Sequence, residues 1–164
     1  MRYNSPQRGY TLLFATLTAT VVLGVAIFIT SVARKQYILA ATARDSMFSI
    51  YNADSAIECA ATVGIGLTPS GDTFYCNNVQ YTIPALSVMA VPPDGWGETY
   101  ESSAIKVSFG TGKGCATVSF LASADDLKHA VSARGYNLGD GTTCPTIGPR
   151  TVERAMRVTY GLDN

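Results

Sequence analysis

The sequence predicts an α+β protein: a long N-terminal helix, membrane-embedded over its first half, whose second half packs on an antiparallel β-sheet. Three observations predict it. Gly9 to Ala33 is a run of 25 residues without a charge, enough at ~1.5 Å per helical residue to cross a hydrocarbon core of ~30 Å. From Gln36 to Val63 no proline or glycine interrupts a helical spacing of apolar residues. After Asp72 the apolar period shortens to that of a strand.

Size and composition bound the rest. Of 164 residues the first third is taken by the apolar segment, leaving roughly 100 for one modest globular core. Charge is balanced at 12 basic and 12 acidic residues, and no basic block marks a nucleic-acid footprint. The four cysteines, Cys59, Cys76, Cys115 and Cys144, all follow the apolar run. With no CxxC and no Cys/His spacing they read as two disulfides in an oxidising compartment rather than as a metal site, and no cofactor is implied.

The apolar run consists of Leu, Val, Ile, Ala and Phe diluted with Thr, a composition that forms one continuous helix. Arg2 and Arg8 precede it and Arg34 and Lys35 follow, so flanking charge does not choose an orientation. Ser31-Val32-Ala33 offers a signal-peptidase site, but the run before it exceeds the ~7–15 residues of an ordinary signal core. Leu39, Ala43, Met47, Ile50, Ile57 and Ala61 carry the pattern onward, giving one helix from about Tyr10 to about Val63. Gly64 and Gly66 stop it, and Pro69-Ser70-Gly71-Asp72 turns the chain. Such a helix is about 80 Å long, more than a domain of this size needs, so half of it projects into lipid or against other subunits. The resulting division is 10–33 for the membrane or filament-core helix, 34–63 for its extension on the sheet, and 64–164 for a β domain.

Strands are expected at Phe74 to Ile83, Leu86 to Val91, Ala104 to Phe109, Cys115 to Ala122 and Val152 to Tyr160, each rich in Val, Ile, Thr, Tyr or Phe. Gly110-Thr111-Gly112-Lys113-Gly114 joins two alternating runs as a hairpin; it lacks the P-loop spacing and no helix follows it. A sheet of this kind has one dry face, and the helix's apolar stripe is the large cover available for it. Asp125 to Asn137 fits a short helix or a strand, and the alternation of Leu127, His129, Val131 and Ala133 with Lys128, Ser132 and Arg134 favours the strand.

Three other features invite a function. Asp54 falls on the same stripe as Ile50 and Ile57, where it either pairs with a sheet-side arginine or another subunit, or sits at the stripe's edge in water, the preferred reading. Trp96, within Pro92-Pro93-Asp94-Gly95-Trp96-Gly97, is a candidate partner contact if exposed and an edge of the core if buried. His129 has no nucleophile or orienting acid at an interpretable spacing, so no enzyme is expected. Of the three possible cysteine pairings, Cys59 with Cys76 would fasten helix to sheet and Cys115 with Cys144 would tie the later strands to the C-terminal loop.

Two stretches resemble the type IV pilin-like family. Arg8-Gly9-Tyr10-Thr11-Leu12-Leu13 is similar to its class III signal, a short basic leader ending in glycine. The resemblance implies a leader of residues 1–9, prepilin peptidase cleavage between Gly9 and Tyr10, N-methylation of Tyr10, and retention of the helix as anchor. Ala43-Arg44-Asp45, followed by Tyr51-Asn52-Ala53-Asp54-Ser55-Ala56-Ile57-Glu58, resembles the segment after the anchor in PilX-type minor pilins and, more loosely, in the K-type minor pseudopilin. Most major pilins of that family carry a glutamate at the fifth mature position to neutralise the next subunit's terminal amine. Here that position is Phe14. A buried unpaired ammonium is costly, so the resemblance implies a minor subunit with an initiating or tip role. Its implied partners are other pilin subunits through the helix, the cytoplasmic membrane and the prepilin peptidase. The implied location is single-pass in that membrane with the C-terminal domain outside the cytoplasm, then a surface filament. The alternative is a membrane-tethered β domain that binds a surface ligand without polymerising.

Overall fold

The structure, a computed structural model, describes residues 8–63, 71–110, 112–125, 127–140 and 142–161. Residues 1–7 of the expected leader, the expected stop at Gly64, Gly66 and Pro69-Ser70, and Thr111 of the hairpin loop lie outside them. The chain divides into two compact units, Met1–Ala43 and Arg44–Asn164.

One helix, α1 (Arg8–Ala61), supplies the described part of the first unit and continues into the second. It ends two residues before the expected Val63, where the Val63 amide and the Thr62 hydroxyl donate to Ala60 O and Cys59 O at 3.1 and 2.7 Å. Those bonds satisfy carbonyls that a helix end otherwise leaves bare.

In the second unit α1 packs on antiparallel sheet, as the α+β reading requires. A small hairpin of β1 (Thr73–Cys76) and β2 (Val79–Thr82) stands beside a six-stranded sheet of β3 (Leu86–Val88), β4 (Thr99–Ser102), β5 (Ile105–Ser108), β6 (Cys115–Ser123), β7 (Lys128–Tyr136) and β8 (Glu153–Gly161). The strand order is β3-β4-β6-β7-β8, with β5 also on β6. Asp125 to Asn137 thus contains a strand, and 110–114 joins β5 to β6 as the expected hairpin, with Ser108 opposite Cys115.

Two expectations are corrected. Phe74 to Ile83 is not one strand: Asn77 and Asn78 both have positive φ, 51° and 62°, and form a two-residue turn that folds β1 onto β2. Strand β4 was not expected at all, because its buried residues are the polar Thr99 and Ser102. Strands β4 and β5 lie along the same edge of β6, one after the other. At the break between them the Ser102 hydroxyl accepts from Phe120 N at 3.0 Å, standing in for a missing ladder carbonyl.

The core forms where Ala53, Ala56, Ile57 and Ala60 of α1 meet Phe74, Val107, Val118 and Phe120. Phe74 stacks on Tyr81 at 5.4 Å and meets Phe120 edge-on at 5.9 Å between ring centroids. The expected stripe is therefore displaced around the helix. Ile57 is buried as expected, but Met47 and Ile50 are exposed, and the buried face runs through Asp45, Ser49, Asn52, Ala53, Ala56, Ile57 and Ala60. Small and polar residues win this face because the helix backbone itself touches the sheet. A Cβ on Gly135 of β7 would strike Ser49 O and Ala53 N, and one on Gly114 would strike Tyr136 O and Asn52 Nδ2. No large side chain fits between surfaces this close.

Candidate functional site

The N-terminal unit is built to suit an apolar medium. From Tyr10 to Phe28 every side chain is exposed, and α1 is the one helix among the described residues long and apolar enough to span a membrane. Its hydroxyls would be a burden there if left open. Thr16, Thr18, Thr20, Thr30 and Ser31 each donate to a carbonyl three or four residues earlier, at 2.8 to 3.0 Å. Each polar atom is thereby satisfied inside its own helix, the condition for lipid exposure. Gly9 and Tyr10 lie in the first helical turns with Tyr10 74% exposed, and Phe14 is 58% exposed one turn on.

In the second unit a polar clamp holds the helix at its entry. Arg150 pairs with the buried Asp45 at 3.2 Å. Ser49 Oγ donates to Val152 O at 2.9 Å, and Asn52 Nδ2 donates to both Lys113 O and Tyr136 O, at 3.0 and 2.8 Å. Asn137 fastens the same C-terminal segment, donating to Arg150 O at 2.9 Å and accepting from Val152 N at 2.7 Å. Asp45, Ser49 and Asn52 were not singled out as a set from the sequence. Their signal is a polar face at spacings of four and three, hidden inside a helix otherwise judged by its large apolar residues.

The opposite side of this helix is open. Met47 and Tyr51 are 54 and 59% exposed and Asp54 is exposed beside them, while Phe48, 49% exposed, lies at the flank towards Lys113 and Arg150. Asp54 thus lies in water, on the side away from the sheet. Met47 and Tyr51, with Phe48 at their flank, place three aromatic or long apolar side chains within about a turn and a half, an apolar patch on a surface helix.

Disulfides secure both ends of the core. Cys59–Cys76 joins the end of α1 to β1, and Cys115–Cys144 joins β6 to the C-terminal segment, with Cα separations of 5.4 and 5.9 Å. In that segment Asp140 accepts from the amides and hydroxyls of Thr142 and Thr143 at 2.7 to 2.9 Å. These bonds, the Thr143 amide foremost, hold its carboxyl far below the usual aspartate range.

The helix covers only one face of the sheet. On the other, Tyr136 is buried, and that burial raises its phenol above the ordinary value, with the negative charge of Glu153 adding to the rise; Glu153 also pairs with Arg134 at 3.2 Å. Beside this group the face is concave, with a cavity of about 590 Å³. Trp96 is half-buried, in a loop that Lys128 Nζ ties to β7 by donating to Gly95 O at 2.8 Å. Among the described residues no group of three or more His, Cys, Asp or Glu side chains is placed to hold a metal ion.

No protein-family model, curated protein or solved structure matches the chain.

Proposed function

We propose that this protein is a minor subunit of a type IV pilus-like filament, PilX-like or pseudopilin-like, acting by assembly and carrying no catalysis. The observation that carries the reading is the 54-residue helix α1, whose apolar, internally hydrogen-bonded first part begins at Arg8-Gly9-Tyr10. In this reading the prepilin peptidase cuts between Gly9 and Tyr10 and Tyr10 is methylated. The segment 10–33 then serves as anchor in the cytoplasmic membrane and afterwards as filament core. The exposed patch of Met47, Phe48 and Tyr51 supports packing against neighbouring subunits. Phe14 in place of a carboxylate supports an initiating or tip position, where no subunit above requires that partner.

Intact-mass measurement of the protein from its native membrane tests this. The expected species lacks residues 1–9 and carries one added methyl on Tyr10. An uncut chain would instead establish a tethered β domain, which the open concave face of the sheet favours as second reading. A start at Arg34 would mean ordinary secretion and end both.

A further inference from the structure

The concave face of the sheet has no part in assembly through the helix, and its chemistry is unusual for a pocket. Ligand cavities of this size are mostly apolar. This one, at about 590 Å³, has a floor and wall of hydroxyls from Ser87, Ser103, Thr117, Ser119 and Ser132. Ser119 and Ser132 stand directly opposite each other on β6 and β7. Their neighbours Val118, Phe120, Val131 and Ala133 point into the core, so the two serines point out. Neither side chain has a hydrogen-bond partner among the described residues, whereas the Ser87 hydroxyl donates to Glu101 O at 3.3 Å. Each free hydroxyl offers one donor and two acceptors.

Charge brackets this floor. Glu101 lines one side and Arg134 the other, and the Arg134 side chain is 62% exposed with only one of its nitrogens engaged by Glu153. Met89 adds an aliphatic rim. The scaffold beneath is fixed: β6 and β7 are central strands, Asn52 and Gly135 lock them to the helix, and Cys115–Cys144 ties off one end. Donors and acceptors held in place in this way lose little freedom on binding.

We propose that this face binds a saccharide, its ring hydroxyls exchanging hydrogen bonds with Ser119, Ser132 and Glu101, its apolar ring face resting on Met89, and Arg134 serving a hydroxyl or a uronate carboxylate. Polyhydroxylated rings match a lining that gives and accepts hydrogen bonds at many points, and an apolar ligand would leave those hydroxyls dry and unpaired. The inference depends on neither cleavage at Gly9 nor filament assembly.

The test is fluorescence-polarisation titration of the full chain, in a detergent without a sugar headgroup, with labelled maltohexaose and labelled hexagalacturonate. Saturable binding of either is expected, and Ser119→Ala with Ser132→Ala should weaken it about tenfold or more, two hydrogen bonds' worth. Ser103→Lys, at an exposed position of the lining, should obstruct the site without entering the core. Preference for the uronate, lost in Arg134→Gln, identifies a carboxylate as the group Arg134 meets; equal binding of both assigns it to a hydroxyl. No saturable binding of either probe, or binding that both the paired serine variant and Ser103→Lys leave unchanged, overturns the proposal.

Discussion

Asn52 does the work of two ladder donors. Its amide nitrogen reaches Lys113 O in the β5–β6 connection and Tyr136 O at the end of β7, at 3.0 and 2.8 Å. Asn52→Leu keeps the volume and removes the donors, so destabilisation of about 1–3 kcal/mol is expected in thermal unfolding. An unchanged Tm would show that water replaces the amide there. Gly135→Ala should cost as much as the worst overpacked cores, about 3 kcal/mol, because the added methyl meets helix backbone at Ser49 and Ala53 rather than a movable side chain. Asp140 makes a different contribution, one that depends on pH. Its folded carboxyl titrates below the unfolded one, so its stabilisation is fully present above the ordinary aspartate value of about 3.9, shrinks as pH falls below it, and is gone only once the folded carboxyl itself protonates in stronger acid. Comparing Asp140→Asn with the natural chain should show a Tm gap at neutral pH that begins to narrow below about pH 4 and goes on narrowing in stronger acid. A gap of constant size from neutral pH down through that range would mean that Asp140 acts through its shape and not its charge.

Among the elements, the junction between α1 and the first hairpin depends on Cys59–Cys76, which closes a loop of 17 residues. Replacing both cysteines with serine should remove about 3 kcal/mol by the loop-entropy argument, read as a Tm lowered by roughly 4–8 °C per kcal/mol. Retention of the natural Tm would place the helix end under the control of Ala56, Ile57 and Ala60 alone. Which elements were legible beforehand follows from how each is stabilised. Strands β6 and β8 and the existence of the helix announce themselves by period, and β7 does so less plainly, since its segment also fits a short helix. Strand β4 and the Asn77-Asn78 turn do not, since one buries hydroxyls and the other lacks the glycine that marks such turns. The helix stripe was misplaced for a related reason: at Ser49 and Ala53 the contact is backbone against Gly135, and closeness of that kind rewards the smallest side chains. The cysteine pairing was legible because each pair lies close in the chain, 17 and 29 residues apart. The clamp of Asp45, Ser49 and Asn52 was not, because its acceptors and its arginine come from residues 61 to 105 positions away.

For the molecule as a whole, the exposed helix patch and the open sheet face separate two kinds of variant. Met47→Glu with Tyr51→Glu changes exposed residues only, so the folded domain should keep its Tm. If the helix packs in a filament, the same pair should abolish incorporation into sheared surface fibres, measured by immunoblot, and normal incorporation would remove this patch from the assembly interface. The sheet itself is not held evenly. Strand β4 joins β6 through three residue pairs, Thr99 to Glu101 against Ser123 to Leu121, and β3 hangs from β4 alone. Strand β6 meets β7 through eight pairs. Amide exchange should therefore reveal a loosely held corner: protons of β3 and β4 replaced by deuterium well before those of β6 and β7, in one concerted opening. Since Ser87, Val88 and Glu101 ride on that corner, the concave face has a fixed floor and a wall that breathes.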